Sequence, residues 1–294
     1  MIWDIEKKRK LKDILLILFV TFIVYSLPLL YSYIMNSNSE DEGDYNNWYC
    51  GNDVIQEREI EYIRPHNLPN NTDDWTIHDG DLMITKNLEN KIILLTGNLQ
   101  ITGADRLPFP EKIIFNNVTI IMNCSRYTEG EYGHDYYEIN IGCNFIFNNS
   151  LITAYDANYK YVLNSGGGLA VEFLNSEFSY ARHISVSSNA TIYNCIFKNS
   201  EYGLSIGLCY PTNFREIRYC LFENNSYGIC LAKGSNSHIK FNIFRNNTDY
   251  AVGDDIGLIK MEYNYWGTTN RSEISSMIKD ENADFEPWLD EPPF

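Results

Sequence analysis

Residues 222–232 read FENNSYGICLA, and near-copies flank them: FKNSEYGLSI at 197–206 and FRNNTDYAVG at 244–253. Each opens with phenylalanine and a charged residue, passes through Asn and a short polar turn, and returns to apolar residues. A unit this short cannot bury a core alone, so its repetition implies stacking. Extending the frame apolar-x-x-small-x-aromatic outward collects FNNVTI (115–120), FNNSLI (147–152), FLNSEF (173–178), IYNCIF (192–197), IRYCLF (217–222), IKFNIF (239–244) and MEYNYW (261–266). Their last positions, Ile120, Ile152, Phe178, Phe197, Phe222, Phe244 and Trp266, lie 32, 26, 19, 25, 22 and 22 residues apart.

The period excludes helical repeats, which need two amphipathic segments of about ten residues or more per unit. Short apolar-x-apolar runs broken by Asn, Gly and Ser are strand-and-turn signals. Leucine-rich repeats share the period but need leucines at fixed offsets that are missing here. A parallel β-helix fits, with one coil of about three strands per unit. In that fold Phe197, Phe222 and Phe244 stack inward. Asn199, Asn224 and Asn246 take the turn, where asparagine tolerates the left-handed region and bonds the next coil. Gly203 and Gly228 are expected at the following bend with positive φ. Ser150, Ser176, Cys195, Cys220, Asn242 and Asn264 form a second inward ladder. WTIHDGDLMI, NKIILL and GNLQITGADRL read as degenerate opening coils, which makes nine or ten coils in all, about 45 Å long at the spacing of paired strands.

The chain resembles the right-handed parallel β-helix repeat proteins of the pectate-lyase-like superfamily, and within it the membrane-anchored or secreted surface proteins called adhesin-like. GNLQITGADRL with IIFNNVTI is similar to that group's opening coils. YNYWG (263–267), ISSMIKD and DFEPWL (284–289) are similar to its closing segment. The resemblance spans residues 75–294 and implies an all-β solenoid. It leaves activity open, because the fold hosts lyases, hydrolases, accessory proteins and adhesins. The closing segment reads as a cap over about 266–294. Ser272 is the expected N-cap of a short helix, with Ile274, Met277 and Ile278 on one face, and Trp266 and Trp288 close the open end.

Upstream, ILLILFVTFIVYSLPLLYSYIM (14–35) has no charged residue. As a helix it would span about 33 Å, enough for a hydrocarbon core of about 30 Å. The basic tail at 1–13 precedes it and SNSEDEGD follows, which puts the N-terminus in the cytoplasm and the body outside. A cleaved signal peptide is the alternative, and the protein is then secreted. Residues 36–74 form an acidic, polar stalk.

The net charge of −16 is uneven: residues 1–35 carry +2 and the remainder −18. Such a body repels nucleic acid, and anionic polysaccharides too unless a divalent cation bridges them. The partners expected are the membrane, glycans and envelope proteins.

Seven cysteines leave at least one unpaired or intermolecular. Cys124 and Cys143 bracket the longest insertion, where a disulfide would staple the base of the loop. Cys195 and Cys220, on one rung of adjoining coils, read as buried thiols. Cys50 lies in the stalk. Sequons occur at Asn70, Asn117, Asn123, Asn148, Asn189, Asn224, Asn246 and Asn270; Asn-rich turns also produce such matches by accident.

Three functional readings follow: a display surface for glycans or envelope components, a polysaccharide lyase or glycoside hydrolase, and a structural envelope element. The hydrolases that the chain resembles carry NTD, DD, GHG and basic elements on successive coils. Here Asn247-Thr248-Asp249 and Asp254-Asp255 lie too close in sequence, GHG is missing, and His238-Ile239-Lys240 only echoes the basic element. Asp249, Asp254 and Asp255 are therefore the enzymatic candidates, and no catalytic set is assigned. A lyase would need calcium and an arginine base, with Arg182, Arg215, Arg218 and Arg245 available; otherwise no cofactor is expected. Arg215 and Arg218 flank Glu216 in a turn, where a salt bridge suits them. The most recognition-like segment is YGHDYYE (132–138). Tyr132, His134, Asp135, Tyr136 and Tyr137 offer rings for sugar stacking, or else they cover the flank of the helix.

Overall fold

The computed structural model describes residues 75–103, 112–126, 136–166, 169–186, 189–207, 214–231, 236–253, 260–279 and 283–294. The basic tail, apolar segment and stalk assigned to 1–13, 14–35 and 36–74 lie outside them. Among the described residues no helix is long and apolar enough to cross a membrane.

Every strand pairing is parallel, and partners come from successive units. One sheet has eight strands: β2 (Leu82–Ile84), β4 (Leu99–Ile101), β6 (Glu138–Ile141), β9 (Tyr161–Ser165), β12 (Ala181–Val186), β15 (Tyr202–Ile206), β18 (Tyr227–Leu231) and β21 (Tyr250–Gly253). The other has thirteen, among them β14 (Ile196–Lys198), β17 (Leu221–Glu223) and β20 (Ile243–Arg245). The protein is a parallel β-helix repeat protein with eight coils among the described residues. A ninth unit, expected at 261–266, reduces to isolated bridges such as Ile243↔Tyr265, because the chain there turns into the cap.

The repeat is a stacking code. Phe178, Phe197, Phe222 and Phe244 pair in register on adjoining strands. Their rings lie 5.1 Å apart within 12° of parallel, and Trp266 extends the stack at 4.8 Å. All are buried. Removing such a ring costs about 3–5 kcal/mol in other cores.

The small-residue ladder is also inward, and it satisfies backbone that the corner would orphan. Ser150 Oγ accepts from Val118 N at 2.9 Å, and Ser176 Oγ from Ser150 N at 3.1 Å. Further along, Asn242 Oδ1 accepts from Cys220 N and Asn264 Oδ1 from Asn242 N, both at 2.9 Å. The amides donate back to Ile217 O and Ile239 O.

Asn199, Asn224 and Asn246 each have φ of 55°, as their turn requires. Asn199 and Asn224 bond the neighbouring coil through backbone N–H groups that donate to Glu223 O and Arg245 O, and side-chain acceptors for the neighbouring backbone come from the residue after Asn224 and Asn246. Asn225 Oδ1 accepts from Ser200 N and Asn247 Oδ1 from Asn225 N. Gly203 and Gly228 depart from expectation. They lie inside β15 and β18, and positive φ among described glycines is confined to Gly80, Gly97 and Gly267. Space is the reason for glycine: a Cβ on Gly203 would stand 2.6 Å from Gly228 O, and one on Gly228 2.5 Å from Ala251 O.

A second left-handed column precedes the small-residue ladder. It runs Asn149, Asn175 and Asn194, then Tyr219, Phe241 and Tyr263, with φ between 49° and 64°. Left-handed backbone is costly for bulky residues. Here the three rings stack at 5.5 and 5.7 Å, which offsets part of that cost.

The cap helix α1 (Arg271–Ser276) buries Ile274. Its N-cap is Asn270, which accepts from Ser272 N at 3.0 Å, so Ser272 is not the cap. Trp266, Phe285 and Trp288 close the end through ring contacts at 6.5 and 6.1 Å. Arg218 and Glu216 do pair, but on a strand (Phe214–Arg218) and not in a turn.

Candidate functional site

The long insertion leaves β5 (Lys112–Met122) and rejoins the coils at β6. Tyr132, His134 and Asp135 lie outside the described residues. Tyr136 and Tyr137 are described, half-buried and divided in role. Tyr137 packs against the core, whereas the ring of Tyr136 lies under the Arg182 guanidinium, 5.1 Å from its centroid.

Arg182 owes its position to a β-bulge. In the pairing of β12 with β9, Ala181 faces Tyr161 and His183 faces Val162, so Arg182 is the extra residue. The bulge brings Ala181 and Ile184, three residues apart, both into the core, with Arg182 exposed and His183 buried between them. His183 is 4% exposed, and burial pushes its pKa down to about 4.

Glu201 stands on the next coil, immediately before β15, with Oε2 3.9 Å from Arg182 Nε. That is an ion pair beyond hydrogen-bond range. Lys160, immediately before β9, completes the group. Burial lowers the pKa of Lys160, while Glu201 attracts its charged form. Burial likewise raises the pKa of Glu201, against the pull of Lys160 and Arg182. Two cations thus share one carboxylate, in half-buried surroundings where charge interactions exceed their strength in water.

A tyrosine column continues from this cluster across the coils. Tyr202 and Tyr227 stack at 5.0 Å, and Tyr250 follows at 5.9 Å. Lys279 Nζ stands 5.9 Å from the centroid of Tyr250. Cys230, packed beside the column, is disulfide-bonded, and its partner lies outside the described residues.

Of the other sequence-derived candidates, Asp249 alone among the described residues acts on the tyrosine column, through Tyr202. Asp249 is an exposed turn residue whose backbone N–H donates to Ser226 O at 3.0 Å. Asp254 and Asp255 lie outside the described residues. The charges acting on Glu201 are those of Lys160 and Arg182, and those of Glu201 and Asp249 both disfavour ionisation of Tyr202, whose pKa is raised chiefly by burial. Cys124 and Cys143, the expected staple, stand as free buried thiols. Cys143 Sγ lies 3.9 Å from Ile101 O, and burial raises both pKa values to about 11. Cys195 and Cys220 are also free and buried.

Of the sequons, Asn117, Asn123, Asn148 and Asn270 use their Nδ2 groups as hydrogen-bond donors. Asn189, Asn224 and Asn246 are exposed. Asn70 lies outside the described residues.

Lys160, Arg182 and Glu201 belong to no sequence motif. Arg182 was available from the sequence only as one of four arginines; the signal that could have singled it out is the break in alternation at ARHI, where the core positions Ala181 and Ile184 stand three residues apart.

A protein-family model described as periplasmic copper-binding protein (NosD) matches residues 175–280. The match includes Arg182, Glu201 and the tyrosine column, and it leaves out Tyr136 and Lys160. No curated protein matches the chain, and no solved structure does.

Proposed function

We propose that this protein is an extracytoplasmic β-helix, held to the membrane by its apolar N-terminal segment, that displays a binding surface for glycans or other envelope components in the manner of an adhesin. The observation that carries the reading is the Tyr136–Arg182–Glu201–Lys160 constellation beside the stacked tyrosines. It gathers aromatic rings, an unevenly matched charge set and half-buried surroundings on a rigid scaffold. The periplasmic description of the matching family model supports a body outside the cytoplasm. The exposed sequons at Asn224 and Asn246 suit such a surface if the host glycosylates.

Copper, named in that description, does not fit the donors at hand. Among the described residues no group of three or more His, Cys, Asp or Glu could hold a metal ion. The soft thiols of Cys195 and Cys220 lie in the core against Tyr193 O at 3.3 Å and Arg218 O at 3.2 Å. No part of the proposed function runs through a metal.

The test is retention of the full chain on immobilised neutral and anionic polysaccharides, with and without calcium, alongside an assay for new reducing or unsaturated ends. Retention without cleavage is expected. Cleavage would replace the reading with an enzymatic one, and neither retention nor cleavage would leave a structural element of the envelope.

A further inference from the structure

We infer that Lys160 and Arg182 form a receptor for one isolated carboxylate on an otherwise neutral saccharide. The inference rests on the glycan-binding reading and names the chemistry of its ligand. Three features carry it. First, the cluster holds two cations against one anion. Glu201 reaches Arg182 only at 3.9 Å, and Lys160 forms no ion pair among the described residues. Second, the Arg182 guanidinium is set by the bulge and lies over the Tyr136 ring. A planar fork held in this way is suited to two parallel hydrogen bonds with a carboxylate. Third, Lys160 is half-buried and its charged form is disfavoured there, so an incoming anion restores what burial removes.

The number of charges on the ligand follows from the rest of the protein. The β-helix, residues 75–294, has 26 Asp and Glu against 16 Lys and Arg and so carries −10, and at physiological salt charges act over about 8 Å. A single carboxylate seated between two cations lies within that range of them. A polyanion also places its remaining charges along the acidic body and is repelled. A neutral chain with one uronic acid avoids that repulsion and leaves its sugar faces for the half-exposed rings of Tyr136 and Tyr250.

The experiment is isothermal titration of the full chain with three probes: a xylo-oligosaccharide bearing one glucuronate, the same compound as its methyl ester, and polygalacturonate, each at 50 and 500 mM NaCl. The acid is expected to bind at least tenfold more tightly than the ester. Polygalacturonate should bind more weakly than the acid at 50 mM and gain at 500 mM, as repulsion is screened. Arg182→Ala and Lys160→Met should each weaken the acid tenfold or more. Arg245→Ala, which breaks an ion pair with Glu223 elsewhere, should not. The acid–ester comparison uses the unmodified chain, so it stands even where a variant folds poorly. Equal binding of acid and ester, or no binding of the acid, overturns the inference. If polysaccharide retention persists in that case, the broader display reading survives; if retention is also lost, both fail.

Discussion

A Cβ on Gly203 would lie 2.6 Å from the carbonyl oxygen of Gly228, one coil on, and a Cβ on Gly228 would meet Ala251 O at 2.5 Å. The two glycines are therefore where coils approach most closely on this face, and the obstacle in each case is backbone, which cannot swing aside. Gly228→Ala is expected to lower stability by about 1–3 kcal/mol, the usual range for overpacking. Gly142→Ala, whose nearest neighbour is the flexible Gln100 side chain at 3.2 Å, should cost clearly less. Chemical denaturation of the two variants side by side makes the comparison, and equal losses would refute the steric account.

Phe222 lies between Phe197 and Phe244 at 5.1 Å from each. Phe222→Ala is expected to cost about 3–5 kcal/mol and Phe222→Leu markedly less, because leucine refills most of the void. Thermal melts of both should keep this order if the column is a packed core.

Asn242 accepts from Cys220 N and donates to Ile217 O in a buried rung. Asn242→Leu keeps the branched shape and leaves no void but orphans both groups, at about 1–3 kcal/mol for each. Asn242→Ser reproduces the chemistry of Ser150 and Ser176 on the same ladder and should fall between leucine and the native residue. Denaturant midpoints for the three chains would put serine below leucine if the rung served only to fill space.

His183 makes stability depend on pH. Burial lowers its folded pKa to about 4, from an unfolded value of 6.5. Between these values the unfolded chain binds a proton that the folded chain does not, so its contribution is whole above pH 6.5 and is lost as pH falls toward 4. The loss is on the order of 3 kcal/mol at the lower limit. Urea midpoints at pH 7, 5.5 and 4.5 should fall more steeply for the native chain than for His183→Leu.

The thiols of Cys124 and Cys143 are held at pKa values of about 11, and that of Cys220 well above its ordinary value, all chiefly by burial. At pH 8 a thiol reagent such as dithionitrobenzoate should leave these three and buried Cys195 unlabelled in the folded chain and label all four in urea. Rapid labelling of Cys124 without denaturant would contradict its burial in the core.

The fold was legible in the sequence because a solenoid repeats one local decision. A residue that packs against its own copy one coil away marks the same column every time, so Phe178, Phe197, Phe222 and Phe244, and the rung from Ser150 to Asn264, could be placed by spacing alone. Asn at the left-handed turns was legible for the same reason. The roles of Gly203 and Gly228 were not, because composition cannot tell a glycine needed for its φ from one needed for its missing Cβ. Nor was the left-handed Tyr219–Phe241–Tyr263 column, where stacking between coils overrides a local preference.

By itself, then, the sequence determined the architecture, the inward columns and the closing segment, because each follows from periodicity along the chain. The tertiary structure alone decided the grouping of the candidate site. Tyr136 and Arg182 were each legible as separate candidates, but with Lys160 and Glu201 they come from different coils and share no common motif. What brings them together is the lateral stacking of strands and a one-residue bulge at Arg182, a relation between coils that no linear spacing encodes.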